Sequence, residues 1–223
     1  MVVAKKMTKE ELREDKVLTG LKELATFIQR NLRYVIGAVA LVALVVIGVS
    51  LWNQSRVRSE QSAGLAMSQA QQLFFAGNFA EALSRFQGAA SQFGSAPAAR
   101  TANLYIGNCQ LSLGNPTEAE KSFRDALGKA GGDPLLRAGA LRGIGGALAD
   151  QGKPAEGAAS YEQAAQIEGN PLAADDWFAA GNGYAEGGDR QQAEKAYQKI
   201  IDDFPRSSHL MDAKLKLAEL KAR

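Results

Sequence analysis

Four times along this 223-residue chain a glycine is followed five residues later by alanine or glycine, nine later by an aromatic ring and twelve later by alanine or isoleucine. The sets are Gly77, Ala82, Phe86, Ala89; Gly114, Ala119, Phe123, Ala126; Gly152, Gly157, Tyr161, Ala164; and Gly188, Ala193, Tyr197, Ile200. The glycines stand 37, 38 and 36 residues apart. That period predicts two-helix units stacked into a solenoid. Within each set the last three residues share one helix face, with a ring between two small neighbours. Seven residues before each glycine sits another small residue, at Ala70, Gly107, Gly145 and Gly181. These mark the point where the preceding helix is approached closely. Asn78, Asn115, Lys153 and Asp189 supply the turn after each glycine, and Pro97, Pro134, Pro171 and Pro205 close each unit.

The expected fold class is therefore all-α: four helix pairs plus a C-terminal capping helix, behind a single N-terminal transmembrane helix. The repeats fall at about 62–97, 98–134, 135–171 and 172–205, with the capping helix at about 208–222. Leu210, Leu215, Leu217 and Leu220 are expected to cover the open end of the stack, with Lys214, Lys216, Glu219 and Lys221 in water. The third unit places Gly139, Gly143, Gly145 and Gly146 in one helix. Interior glycines cost roughly 0.8 to 1 kcal/mol each relative to alanine, so this helix is expected to be the loosest of the set.

Ahead of the repeats, Val35–Leu51 carries no charge and holds six valines, two isoleucines and three leucines. Such a run is long enough to cross a bilayer when Tyr34 and Trp52 extend it to the two interfaces and Arg33 and Arg56 snorkel beyond them. The chain thus divides into a tail at 1–33, a span at 34–52 and a repeat domain at 53–223. The tail is long and holds five acids, unlike a short basic leader, and no small-x-small pair follows the apolar run; an uncleaved signal anchor is expected. With eight Lys/Arg the tail is net +3, which leaves the rest of the +2 chain at −1. Positive-inside logic puts the tail in the cytoplasm and the repeats across the membrane. Thr8 and Glu11 have capping-box spacing, and Leu21, Leu24, Phe27, Ile28 and Leu32 fall on one helix face. That stripe suits either an amphipathic helix at the inner interface or a solvated extension of the span. No Pro or Gly interrupts Leu51 to Ala63, so the spanning helix is expected to run straight into the first repeat.

Composition narrows the chemistry. One cysteine excludes an internal disulfide, and Cys109 in a small-residue slot reads as a buried apolar thiol. His209 has no ligand cluster near it in sequence and reads as a solvated or helix-cap residue. The glycines from Gly139 to Gly146 lack a Gly-Lys-Ser/Thr ending, so no phosphate loop is expected. No catalytic, cofactor-binding or metal-binding residue emerges; neither nucleic acid nor a small-molecule substrate is an expected partner.

The residues from Ile106-Gly107 through Leu113-Gly114-Asn115 to Ala119, Phe123 and Ala126 resemble a tetratricopeptide repeat. The last unit, Trp177, Ala180, Gly181, Tyr184, Gly188, Ala193, Tyr197 and Pro205, is similar to that family nearly throughout, whereas the first places Gln69 where a large apolar residue stands in the family. The resemblance implies that the first helix of each pair lines a concave groove, here Met67, Gln71, Phe74, Leu104, Asn108, Leu111, Arg142, Phe178 and Asn182, which would bind other proteins. Asn108 and Asn182 stand where the family often holds peptide backbone with an amide. Over its whole length the layout resembles the YfgM type. That likeness implies a place in the bacterial inner membrane beside the Sec translocon, with the repeats in the periplasm and a chaperone-like role in export. The other expectation is a structural subunit of a stable membrane complex, docked through Gly37, Ala40, Ala43 and Gly48.

Overall fold

A computed structural model describes residues 9–222, with side chains from residue 18 onward. The Thr8–Glu11 capping box lies outside the described residues. Two compact units divide the chain, Met1–Arg56 and Val57–Arg223.

In the first unit, α1 runs Lys9–Arg30 and one turn residue, Asn31, separates it from α2, Leu32–Phe75. The backbone ladder crosses that residue: the Asn31 N–H donates to Phe27 O at 3.0 Å, and its carbonyl accepts from Val35 at 3.0 Å. Leu18, Leu21, Leu24 and Phe27 of α1 are all more than half exposed. An 18-residue window of α2 reaches a mean hydropathy of 2.7, with none of it buried. Among the described residues this is the one helix long and apolar enough to cross a membrane.

From Val57 the second unit begins. The last turns of α2 pair with α3 (Phe79–Phe93), then come α4 (Ala102–Ser112) with α5 (Pro116–Lys129), α6 (Pro134–Asp150) with α7 (Pro154–Ala165), and α8 (Ala173–Glu186) with α9 (Arg190–Asp203). α10 (Leu210–Ala222) ends the stack, and a 3-10 turn at Pro97–Ala99 precedes α4. No strand occurs among the described residues. This is the tetratricopeptide-like solenoid of four helix pairs and a capping helix.

Each pair turns in the same way. Gly77, Gly114, Gly152 and Gly188 have φ of 79°, 77°, 77° and 82°, the left-handed region where a Cβ is penalised. The next residue's N–H reaches back five residues, Asn78 to Leu73 O, Asn115 to Gln110 O, Lys153 to Leu148 O and Asp189 to Tyr184 O, at 2.8 to 2.9 Å. This helix ending satisfies carbonyls that would otherwise be orphaned, which is why the glycine recurs. The following helix starts on Pro116 and Pro154 in the second and third units, where the missing N–H is no loss. In the fourth, Asp189 caps Gln192 N at 3.1 Å.

Ring and small residue then meet across the pair. A Cβ built on Gly107 would lie 2.6 Å from Phe123 Cε1, one on Gly145 2.8 Å from Tyr161 Cδ2, and one on Gly181 2.5 Å from Tyr197 Cε1. Ala70 occupies the same slot and shares a core with the fully buried Phe86. Burying such a ring contributes about 1.5–3 kcal/mol. The glycine-rich α6, expected to be the loosest helix, carries eight buried residues, more than any other described helix. Its glycines are contact points: Gly143 abuts Phe123, and Gly139 sits against Leu104. At the far end α10 buries Ala213 and Leu217, with Leu210 and Leu220 partly covered. Leu215, expected to face inward, is 58% exposed, because the buried stripe recurs at three and four residues from Leu210 and passes it by.

Candidate partner-binding surface

The first helices of the four units place Met67, Leu104, Arg142 and Phe178 at equivalent positions, 37, 38 and 36 residues apart. Of these four only Met67 is buried; Leu104, Arg142 and Phe178 are half-buried, and each also touches neighbouring residues. Met67 is 4% exposed, inside the core with Phe86, Ile106 and Cys109. Leu104 packs into the cluster around Phe123 and Leu141, against Gly139 of the next first helix. Arg142 reaches Asp176 of the fourth unit with two charge-assisted bonds, at 2.6 and 2.7 Å. Phe178 stacks on His209 at 4.4 Å and 12°. Side chains at this position thus reach residues of a neighbouring helix, across the seam between units for Leu104 and Arg142.

The Arg142–Asp176 joint is the most heavily built. Asp176 is 1% exposed, and its second oxygen also accepts from Asn170 Nδ2 at 2.8 Å. Asn170 in turn donates to Ala164 O and accepts from Leu172 N, so the loop is pinned to both helices. A buried carboxylate persists only with such partners. Neither Asp176 nor Asn170 was singled out from sequence, since nothing local marks an acid 34 residues from its arginine. His209 stands at the cap position of α10, where its carbonyl accepts from Ala213 N at 2.8 Å; its Nε2 also lies 3.0 Å from Asp175 Oδ1 and its ring stacks on Phe178, which ties α8 to the start of α10.

The other five expected groove residues lie on the same helices. Gln71, Phe74, Asn108 and Leu111 are half-buried on α2 and α4, and Asn182 is exposed on α8. The Asn182 carbonyl accepts from Tyr197 Oη at 2.8 Å, and burial pushes the Tyr197 phenol up to about 12. With Ala185, Lys216 and Leu220 it lines a cleft of about 190 Å³ against α10. Phe74 anchors an aromatic group that sequence reasoning overlooked, edge-on to Phe75, Phe79 and Tyr105 at 5.5 to 5.7 Å. Phe75 is 76% exposed beside it. The Phe74-Phe75 doublet bracketing the first turn with Phe79 was the available signal.

Cys109 is fully buried, and burial pushes its thiol up to about 11, as suits an inert core residue. Among the described residues no three His, Cys, Asp or Glu side chains gather into a metal-binding group. In the first unit the Arg33 guanidinium lies 4.8 Å over the Tyr34 ring and that of Arg56 lies 5.0 Å over Trp52. Gly37 and Gly48 have open space where a Cβ would stand, and Ala40 and Ala43 are exposed.

Stacked helix pairs with glycine turns and ring-on-glycine crossings define a helical-repeat scaffold, the class that serves as protein–protein interaction modules. The pattern of the tetratricopeptide repeat-like domain matches residues 25–222, and the chain belongs to that family. The matched stretch includes the apolar helix. No curated protein matches. Among solved structures, a tetratricopeptide repeat protein from Parabacteroides merdae ATCC 43184 is similar at 18% identity and a TM-score of 0.59 over 73% of this chain, which spans 61% of that protein's length. The nearly identical TPR-like repeats of a Podosopora anserina protein described as a kinesin light chain are similar at 12% identity and a TM-score of 0.57, covering 70% of this chain and 84% of theirs. These likenesses establish the fold. Proteins of this repeat class are generally scaffolds without catalytic activity.

Proposed function

We propose that the chain is a membrane-anchored interaction module of the bacterial inner membrane, with its tail cytoplasmic and its repeats periplasmic, acting as a chaperone-like accessory to protein export. The observation that carries this reading is the apolar stretch of α2, none of which is buried among the described residues and which an arginine-on-ring pair brackets at each end. An apolar helix left wholly exposed ahead of a domain with its own core has a physical rationale in lipid. Half-buried Asn108 and Leu111 on α4, and separately the Phe74 aromatic group, offer amide and apolar contacts to an extended client. Two measurements test it. Carbonate washing should leave the intact chain in the membrane, with the repeats cleaved by protease only once the outer membrane is opened. A photo-crosslinker at Asn108 should then capture many different exported chains, and recovery of none removes the export role.

A second reading, a fixed subunit of one membrane complex, is favoured by a specific observation. Met67, Leu104, Arg142 and Phe178 are engaged in packing, which leaves less groove for varied clients. Docking would then use the exposed Gly37, Ala40, Ala43 and Gly48 face of the span. Replacing Ala40 and Ala43 by leucine should release the chain from its complex in mild detergent; unchanged co-purification counts against this face.

A further inference from the structure

The seam position recurs once more, beyond the last helix pair. Leu104, Arg142 and Phe178 reach forward to Gly139, Asp176 and His209, on the next first helix or at its cap. Leu215 of α10 stands 37 residues after Phe178 and is 58% exposed. Met211, one turn earlier, is 70% exposed, and Ala218 and Ala222 are exposed further along. At 3.6 residues per turn these four form one stripe, opposite the buried Ala213 and Leu217. The flanks of the stripe differ in sign, with Asp212 and Glu219 along one side and Lys214 and Lys221 along the other. Trp177 and Tyr184, which α8 buries in the core shared with α9, correspond at the same 37-residue spacing to Lys214 and Lys221. A further second helix of the ordinary kind would bury two ammonium groups there, so α10 is not built to receive one.

We propose that this stripe is a self-association face, on which α10 of a second copy packs in parallel. Met211, Leu215, Ala218 and Ala222 have the four-three-four spacing of a two-stranded heptad seam. Lys214 precedes the seam residue Leu215 and Glu219 follows the seam residue Ala218, the two positions that face each other across a parallel pair. Lys214 of one copy therefore meets Glu219 of the other, and two-fold symmetry makes that contact twice. In an antiparallel pair like flanks would meet, setting Asp212 near Glu219 and Lys214 near Lys221, so charge selects the parallel arrangement. Glu219 is 50% exposed and held loosely within its own helix, by Lys216 at 3.7 Å, which leaves it able to turn to a second copy. Four side chains on a helix of 13 residues make a small face, so the pairing is reversible and depends on local concentration. Confinement of both copies to one bilayer raises that concentration, and for this step alone the inference rests on the membrane-anchor reading.

The test is oxidative crosslinking of cysteine variants of the full chain in native membranes, read as covalent dimer on a non-reducing gel. Cys109 is fully buried and stays out of the reaction. Ala218→Cys brings two thiols together across the seam and should give at least about tenfold more dimer than Gln198→Cys, an exposed site on α9. Adding Leu215→Glu should cut the yield to the Gln198→Cys level. Lys214→Glu should lower it and the further change Glu219→Lys should restore it, a recovery that a merely weakened helix would not show. No excess over Gln198→Cys, a yield that Leu215→Glu leaves unchanged, or a charge swap that restores nothing overturns the proposal. A higher yield from Lys214→Glu alone means antiparallel pairing and overturns it too, and an Ala218→Cys adduct with another polypeptide in place of the dimer assigns the face to a different protein. Carbonate washing reads the anchor separately, so a retained chain that forms no dimer defeats this inference and leaves the anchor standing.

Discussion

The inside of a unit and the joint between units follow different rules in this protein. Within the second and fourth units, Gly107 meets Phe123 and Gly181 meets Tyr197 at nearly the same distance, after turns whose glycines differ in φ by only a few degrees. Between units the contacting positions recur in part, but the chemistry changes from joint to joint. Glu60 accepts from Ala98 N at 2.9 Å across the first joint, Leu104 packs on Gly139 at the second, Arg142 grips Asp176 at the third, and Phe178 stacks on His209 at the last. Hairpins thus share one kind of contact, whereas each joint uses a different one. The stacking order is held by chemistry as well as by shape.

The strongest way to break this contrast is to remove a ring that serves both regions. Phe123 is fully buried, abuts Gly107 within its own unit and abuts Gly143 in the next. Phe123→Ala should lower stability by about 3–5 kcal/mol in urea titration, the upper range for an emptied aromatic site. A loss near 1 kcal/mol would show that the hairpin crossing is slack and the comparison misplaced.

A joint should answer differently from a hairpin. Asp176→Ala strands the Arg142 guanidinium and unpins Asn170, so a loss of about 2–3 kcal/mol is expected, below the range for fully buried pairs because Arg142 is one-third exposed. Adding Arg142→Leu should recover much of it, since an apolar seam resembling Leu104 on Gly139 then replaces the ion pair. Non-recovery in the double variant would mean that the joint depends on this charge pair and not on filling the seam.

This division also explains what could be read in advance. The turn glycines, the rings and the small residues opposite them repeat in register, so a period in the sequence maps directly onto a repeated contact. The helix pairs and the capping helix were legible for that reason. Joints repeat in position but not in residue type. Asp176 lies 34 residues from Arg142 and Asp175 lies 34 from His209, and each pairing exists only because stacking brings those turns together. The same blindness hid the packing contacts of Met67, Leu104, Arg142 and Phe178, because family position says which helix face a residue occupies but not what it touches there. Leu215 was misassigned on a smaller scale, since α10 has apolar residues on two faces and only packing decides between them.

Turn glycines can be separated from helix glycines by a matched pair. Gly152 has φ of 77° and open space around it, so Gly152→Ala meets no clash yet should cost about 1–2 kcal/mol through backbone strain alone. Gly128, in the last turn of α5, also has open space and no positive φ; Gly128→Ala should gain up to about 1 kcal/mol. Thermal melts of the two should therefore shift in opposite directions. A shift in the same direction would remove the conformational account of why glycine recurs at the turns.

The smallest effect probes a polar link between the second and third units. Glu120 accepts from Gln151 Nε2 at 2.9 Å and pairs with Arg124, and these bonds, Gln151 first, hold its carboxyl below the ordinary carboxylate range. A pKa lowered by folding contributes stability that is present above the unfolded value of about 4.3 and is lost as pH falls through the folded value. Glu120→Gln should therefore be slightly less stable than the parent at pH 7, and the gap should close on acidification below about pH 4. Because Gln151 follows α6 while Glu120 lies on α5, the lost increment should appear first as faster amide exchange at Gly152 and Lys153, not in the hairpin of the fourth unit. Uniform loosening of all four turns would mean that the stack responds as one block, and the distinction between hairpin and joint would then have no energetic counterpart.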